Sequence, residues 1–322
     1  MTILNLIFNK RNAVAFVTFF LSLQLQAAPK QIWIYTSIYK EFAEPIKKAF
    51  EANNPDTEVQ IFQGGSEKIQ AKVEAELIAQ KPQADVILTS DAFWSADLGK
   101  RNLAHSHKGK LTETNYHSLM ILVAHKDLPL DQRPKSFSDL TKPQYKNLIQ
   151  TGSPLESGTM FSTVAYLSRK YGWDYFKKLR ENNVASSGGN STVIQKIESG
   201  EKKVGWVLLE NALASQKRGS PIEIIYPIDG AIPIPSVQVI LKDSKQKETA
   251  EKFAEFILSK EGQELLRNGF MYSVRKDVTA PEGAKPIKEV TKKSTPWTDK
   301  IIAEVAADAK NIKKQFSLII LE

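Results

Sequence analysis

Small polar residues stand together where the sequence predicts that strands end and helices begin. Five such places carry Thr36 and Ser37; Gly65 and Ser66; Ser90; Ser157, Gly158 and Thr159; and Gly189, Asn190 and Ser191. A helix start leaves backbone N–H groups without intrahelical partners and carries the positive end of the helix dipole. Such residues either cap the helix with their own side chains or leave its N–H groups free to hold an anion such as phosphate.

Two carboxylates could serve the other end of such a ligand. Glu210 lies in LLENALA, directly after a predicted strand. It either lies in the first turn of a helix, where its negative charge interacts favourably with the helix dipole, or accepts hydrogen bonds from hydroxyls or an ammonium group of a ligand. Asp229, in YPIDGAI, either does similar work or is a turn residue before Gly230. An anion site combined with a carboxylate suits a two-ended ligand.

The residue types argue against catalysis and against metal binding. The chain has no cysteine, and its four histidines, at 105, 107, 117 and 125, contain no i, i+4 pair. GxSxG, HExxH and GxxxxGK[ST] patterns are missing, and the GG pairs do not form GxGxxG. We therefore expect a binding protein without catalytic residues, metal or cofactor.

The N-terminus has the pattern of an export signal. Lys10 and Arg11 precede the apolar run AVAFVTFFLSL and then LQLQAAPK, which predicts a signal peptide over residues 1–27 with cleavage after Ala27 or Ala28. The apolar run is about half of the roughly 20 residues that a spanning helix needs, so a membrane anchor is the weaker interpretation. An exported chain without cysteine suits the periplasm.

Composition and charge are those of a globular protein that binds small molecules. The 322 residues are 42% hydrophobic and 25% charged, enough for two cores. Loss of two basic residues with the signal reduces the net charge of +8. Basic residues are mixed with acidic ones, without a basic tract that contains aromatics, so we expect no nucleic-acid partner.

The elements that position these residues alternate regularly. KQIWIYTS, TEVQIFQ and ADVILTS read as strands separated by amphipathic helices, which predicts a parallel sheet with helices on both faces. A second α/β unit follows a long apolar strand near 117–124, and the chain returns through a strand near 233–241. These two strands are expected to act as hinges beside a cleft between two lobes.

The chain resembles the solute-binding proteins of bacterial ABC importers, most closely the ferric-ion-binding branch and its relatives. The segments that carry the resemblance are DVILTSDAFWSADL, GSPLESGTMFSTVAYL, VGWVLLENALA, SPIEIIYPIDGAIPIPSVQVIL and FAEFILSKEGQELLRNGFMYSVRKDV. The resemblance implies a two-lobed periplasmic binding protein fold of type II, α/β in class, with two mixed sheets joined by two hinge strands. Lobe 1 would comprise residues 30–117 and 238–322, and lobe 2 residues 118–237.

The resemblance also implies a monomer that delivers a small anionic ligand to an inner-membrane ABC permease. Ferric-iron binders of the branch usually place two adjacent tyrosines where this chain has Glu210 and Asn211. YPIDGAIPIPS and LLENALA are most similar to the sugar-phosphate-binding relatives, so a sugar phosphate ranks before 2-aminoethylphosphonate. Iron and thiamine phosphates stay open; thiamine would need aromatic stacking, with Tyr39, Phe93, Trp94 and Trp206 as candidates.

Overall fold

The computed structural model describes residues 29–322, whose strands and helices alternate over most of their length. The strands are β1 (Lys30–Thr36), β2 (Thr57–Gln63), β3 (Val86–Thr89), β4 (Glu113–His125), β5 (Ile149–Thr151), β6 (Ala185–Ser186), β7 (Val204–Leu208), β8 (Ile222–Ile225), β9 (Ile232–Ile240) and β10 (Tyr272–Ser273). The α-helices are α1 (Lys40–Asn53), α2 (Ser66–Ile78), α3 (Ala92–Lys100), α4 (Gly158–Tyr171), α5 (Trp173–Glu181), α6 (Asn190–Glu198), α7 (Leu209–Lys217), α8 (Lys247–Leu258), α9 (Lys260–Asn268), α10 (Ile287–Val290) and α11 (Asp299–Phe316). The predicted signal peptide lies outside the described residues.

The first lobe is built on the parallel strands β1, β2 and β3. β1 lies between the other two, so the loops that follow these three strands meet at one edge. Ile32 and Ile34 of β1 are buried in a cluster with Phe50 of α1 on one face, while Tyr35 packs on the other face beside Ile69 of α2. Alternating side chains thus bury both faces of the sheet, as the β-α-β-α-β order predicted.

Two long strands connect the lobes. β4 pairs with β9 in antiparallel register from Glu113 opposite Gln238 to Met120 opposite Ile232. Further along, β4 pairs with β7 and β8 of the second lobe, while β9 also pairs with β3 of the first. The predicted hinge strands are therefore β4 and β9, and they make the two sheets continuous. The two-lobed α/β fold is confirmed.

The C-terminal helix α11 packs against both lobes. Val305, Ile312 and Phe316 of α11 are buried in one cluster with the apolar residues of lobe 2. Helix α11 also contacts α3 of lobe 1, and both carboxylate oxygens of Glu67 lie 2.9 Å from Lys313 Nζ. Helix α11 thus contacts both lobes, which its amphipathic sequence pattern alone could not reveal. None of the helices in residues 29–322 has the length and apolar character to cross a membrane.

Candidate functional site

A cavity of about 270 Å³ lies between the lobes, beyond the carboxyl ends of β1, β2 and β3. Ten of the predicted site residues line it: Ser37, Gly65, Ser66, Ser90, Ser157, Thr159, Gly189, Asn190, Ser191 and Glu210. The remaining lining residues are Ile38, Tyr39, Phe42, Gln63, Tyr116, Glu156, Leu208 and Met271. Since both lobes contribute, a ligand here would contact them simultaneously.

Helices α1, α2, α4, α6 and α7 begin at the wall of this cavity without a side-chain cap, and three of them have small N-cap residues. The N-cap residues of α2, α4 and α6 are Gly65, Ser157 and Gly189, and none of them accepts a side-chain hydrogen bond from a backbone N–H of its helix. Asp91, the N-cap of α3, differs because its carboxylate accepts from the N–H groups of Phe93 and Trp94, and it does not line the cavity. The first-turn N–H groups at the cavity wall are therefore available to an anion.

The lobe 2 side is held in place by hydrogen bonds among its own residues. Thr159 Oγ1 lies 3.0 Å from Ser157 Oγ and also accepts from Asn190 Nδ2 at 3.0 Å. Asn190 Oδ1 accepts from the backbone N–H of Leu208 at 3.1 Å. These bonds join the starts of α4 and α6 to the end of β7, so this part of the wall is preorganised.

A chain of hydroxyl groups forms the lobe 1 side. Ser90 Oγ lies 2.8 Å from Ser236 Oγ on hinge strand β9 and 3.4 Å from Ser37 Oγ. The Tyr116 hydroxyl, on hinge strand β4, lies 3.5 Å from Ser90 Oγ. Burial raises the pKa of Tyr116 to about 12, so this group is a neutral hydroxyl at physiological pH. The cluster thus offers uncharged donors and acceptors beside the hinge.

Glu210 is a buried carboxylate at the cavity wall. It lies in the first turn of α7, and its side chain accepts from the Ser118 hydroxyl on β4 at 2.5 Å. Burial raises the pKa of Glu210 to about 7, and the Ser118 hydrogen bond opposes that rise. Because Ser118 is the side-chain donor that reaches Glu210 among the described residues, the ionised carboxylate has lone pairs left for hydrogen bonds from a ligand.

Three predicted site residues lie outside the cavity lining. Thr36 is fully buried, and its hydroxyl accepts from the N–H of Ile38. Gly158 lets α4 approach α2, because a Cβ at this position would stand only 2.7 Å from Ser66 Cβ. The Asp229 carboxylate is hydrogen-bonded within lobe 2, where it accepts from the Tyr171 hydroxyl at 2.6 Å and from two backbone N–H groups. A local sequence pattern cannot distinguish these structural roles from ligand contact.

Several cavity residues were missed. Gln63, Tyr116 and Met271 line the cavity from the end of β2, from near the start of β4 and from the turn after α9. Gln63 was the only one with a sequence signal, since it immediately precedes Gly64 and Gly65 at a predicted strand end. Of the aromatic candidates, Tyr39 lines the cavity, whereas Trp206, Phe93 and Trp94 are buried in the core.

Charged groups at the cavity are acidic. Glu156 and Glu210 are the ionisable carboxylates in the lining, and the described lining contains no Lys, Arg or His. Within residues 29–322, no group of three His, Cys, Asp or Glu side chains is arranged to hold a metal ion. An anion bound here would be held by N–H groups and hydroxyls.

Comparison with known proteins identifies one family and several solved structures with the same fold. Residues 32–271 match the profile of the bacterial extracellular solute-binding protein family. A periplasmic protein of Salmonella typhimurium, for which 2-aminoethylphosphonate binding has been proposed, is 27% identical over 217 residues, covering 62% of this chain and 64% of that protein.

Two solved structures share the fold. The periplasmic binding protein AfuA from Actinobacillus pleuropneumoniae, with fructose-6-phosphate bound, has a TM-score of 0.79 at 23% identity, covering 91% of this chain and 99% of that one. Iron-bound HitA from Pseudomonas aeruginosa has a TM-score of 0.76 at 21% identity, covering 89% and 99%. Since these two relatives carry different ligands, the fold alone does not identify the ligand of this chain.

Proposed function

We propose that this chain, which belongs to the family of bacterial extracellular solute-binding proteins, binds a small phosphorylated organic anion between its lobes. A sugar phosphate ranks first and an aminoalkylphosphonate second. In this proposal the chain is exported to the periplasm, carries no catalytic activity, and delivers its ligand as a monomer to an ABC permease in the inner membrane.

The observation that carries the proposal is the meeting, at one cavity, of three helix starts with small N-cap residues. The N-termini of α2, α4 and α6 border the same space without side-chain caps at Gly65, Ser157 and Gly189. Helix N-termini that converge can hold a phosphate without a metal or a cationic side chain, because N–H groups and dipoles supply the positive potential.

Glu210 would bind the other end of the ligand. Its carboxylate is almost fully buried and has Ser118 as its hydrogen-bond partner among the described side chains. A hydroxyl or ammonium group of the ligand would satisfy its remaining lone pairs, which matters because burial without such partners is unfavourable. A carboxylate would also reject a second phosphate at this end of the cavity.

Because residues of both lobes line the site, ligand binding should favour closure of the lobes. Helix α2 belongs to lobe 1, and α4, α6 and α7 belong to lobe 2. A ligand that bridges them binds the closed form more tightly than the open form, which is the differential affinity that drives closure. The hinge strands β4 and β9 connect the lobes beside the cavity.

A thermal-shift panel on the protein from Lys30 onward tests the proposal. The panel contains glucose 6-phosphate, fructose 6-phosphate, 2-aminoethylphosphonate, thiamine phosphate, inorganic phosphate and ferric citrate. A ligand present at about 100 times its Kd adds roughly 2.7 kcal/mol to the free energy of unfolding, which raises the Tm measurably. We expect a shift with a sugar phosphate or the phosphonate and none with ferric citrate.

A shift with ferric citrate alone would overturn the proposal in favour of iron binding. The lining opposes that outcome, because it has Glu210 just after β7, where ferric-iron binders usually place the first of two adjacent tyrosines. A shift with thiamine phosphate alone would indicate instead that Tyr39 and Phe42 stack against an aromatic ring.

A further inference from the structure

The two lobes touch beside the ligand cavity at Gly158. This glycine is the first residue of α4 in lobe 2, and it faces two residues of lobe 1, Ser66 at the start of α2 and Asp91 at the N-cap of α3. A Cβ added to Gly158 would lie 2.7 Å from Ser66 Cβ, 3.0 Å from Ser66 Oγ and 3.1 Å from Asp91 Cβ. Carbon atoms that are not bonded pack best at about 3.5–4.0 Å, so this contact leaves no room for a side chain.

The lobe 1 side of this contact is held in place. Ser66 is buried, and its hydroxyl accepts from Thr89 Oγ1 at 2.9 Å. Asp91 is also buried, and its carboxylate accepts from two first-turn N–H groups of α3. Neither Cβ atom can move aside without disturbing these hydrogen bonds. A Cβ at position 158 would therefore push the two lobes apart.

The contact between the lobes continues on both sides of Gly158. Gly65, the N-cap of α2, approaches lobe 2 so closely that a Cβ there would lie 3.5 Å from the carbonyl oxygen of Glu156. One turn along α4, the Phe161 ring packs edge-to-face on Phe93 of α3, with ring centroids 5.5 Å apart. The starts of α2 and α4 therefore lie against each other at one border of the cavity.

The lobes also meet through a single hydroxyl pair that lines the same cavity. The Tyr39 hydroxyl of lobe 1 and Ser191 Oγ of lobe 2 lie 3.1 Å apart in an exposed position. One exposed hydrogen bond between hydroxyls adds little to stability, because water replaces it readily. This pair cannot hold the lobes together if the contact at Gly158 is disturbed.

We propose that Gly158 is a positioning residue for the ligand: because it lacks a Cβ, the lobes can close until the N-termini of α2 and α4 face the same ligand. A side chain at this position would hold the lobes apart. A ligand that contacts both lobes binds the closed form more tightly, so its apparent affinity falls with the fraction of molecules that can close. This inference rests on the closure described in the proposed function, whichever compound is bound.

The test is Gly158→Ala, measured by small-angle X-ray scattering and by isothermal titration calorimetry with fructose 6-phosphate. We expect the urea midpoint of the variant to match that of wild type, because opening of the lobes relieves the clash without unfolding either lobe. Fructose 6-phosphate should reduce the radius of gyration of wild type but not of the variant, whose Kd should be at least about tenfold higher. A lower urea midpoint with unchanged compaction would show a purely structural role and overturn the inference.

Gly99→Ala is the matched control, because Gly99 is also helical and a Cβ there would meet the Leu111 side chain at an ordinary distance of 3.4 Å. This variant should close and bind as wild type does. Ser66→Gly removes the atoms that lie nearest to the added Cβ. In the Ser66→Gly background, Gly158→Ala should therefore raise the Kd by no more than about threefold further.

A Gly158→Ala variant that compacts with fructose 6-phosphate and binds it within about twofold of wild type would overturn the inference and leave the proposed function standing. If wild type does not bind fructose 6-phosphate, the wider thermal-shift panel decides the proposed ligand, and scattering without ligand decides the inference. Gly158→Ala should then have a larger radius of gyration than wild type and Gly99→Ala. An equal radius in all three proteins would overturn the inference.

Discussion

The start of α7 and the loop after β8 each hold a carboxylate, but in opposite hydrogen-bond environments. Glu210 is buried and accepts from one hydroxyl, that of Ser118. Asp229 is less buried but accepts from the Tyr171 hydroxyl and from the N–H groups of Phe137 and Ser138. A carboxylate with its oxygens fully used stabilises the fold, whereas one with unused lone pairs at a cavity is available to a ligand.

The pH dependence of stability should separate the two carboxylates most strongly. Burial raises the pKa of Glu210 from 4.5 in the unfolded chain to about 7 in the folded protein. The folded state therefore binds the proton more tightly than the unfolded state does. The contribution of Glu210 to the free energy of unfolding consequently decreases as pH rises from 4.5 to 7, and above pH 7 this loss of stability is constant. The full penalty is on the order of 3 kcal/mol.

Glu210→Gln removes this penalty. Urea unfolding without ligand should show the variant to be more stable than wild type at about pH 8, with the difference vanishing near pH 4.5. Asp229→Asn serves as the control that should not gain stability at high pH. A Glu210→Gln variant that is less stable than wild type at high pH would mean that this carboxylate supports the fold after all.

Loss of the Asp229 side chain should reduce stability without affecting the ligand. Asp229→Ala leaves the Tyr171 hydroxyl and two N–H groups without their acceptor, so we expect the free energy of unfolding to fall by about 2 kcal/mol. Ligand affinity, measured by calorimetry below the unfolding transition, should stay within about twofold. A tenfold loss of affinity with unchanged stability would show that Asp229 contacts the ligand.

Glu210→Gln should weaken ligand binding. The amide retains the shape but loses the negative charge, so affinity for the compound that gives the largest thermal shift should fall about tenfold, or roughly 1.4 kcal/mol. An unchanged Kd would show that this end of the cavity does not contact the ligand. Inorganic phosphate is a useful control, since it lacks the group that Glu210 would bind.

Ser157→Ala should have the smallest effect. The N–H groups of α4 remain when the hydroxyl is removed, so affinity should fall by no more than about threefold. Calorimetry with the same ligand measures this change. Complete loss of binding in a folded variant would show that the side chain, rather than the backbone, holds the anion.

The sequence was most informative where local pattern and topology agree. Strands β1, β2 and β3 alternate with amphipathic helices, so the edge at which Ser37, Gly65 and Ser90 meet follows from the topology. The same reasoning could not find Tyr116, because a residue within a long strand carries no loop or helix-start pattern. The direction in which a side chain points from β4 depends on how the two lobes pack around it.

Local patterns failed where the deciding contact is distant in the sequence. Asp229 before Gly230 fits both a turn and a ligand site, and its partner Tyr171 lies on another helix. Gly158 fits a helix start, but its role is set by the approach of Ser66 from the other lobe. Helix α11 has an ordinary amphipathic pattern, and nothing in it specifies that its partners belong to both lobes.

A crystal structure with the phosphorylated compound that gives the largest thermal shift, grown with a chelator to exclude metals, would test the central claim most directly. We predict phosphate oxygens within hydrogen-bond distance of first-turn N–H groups of α2, α4 and α6, with a hydroxyl or amine of the ligand on Glu210. A phosphate group bound elsewhere, or turned toward Glu210 with its carbon skeleton at the helix starts, would contradict the account.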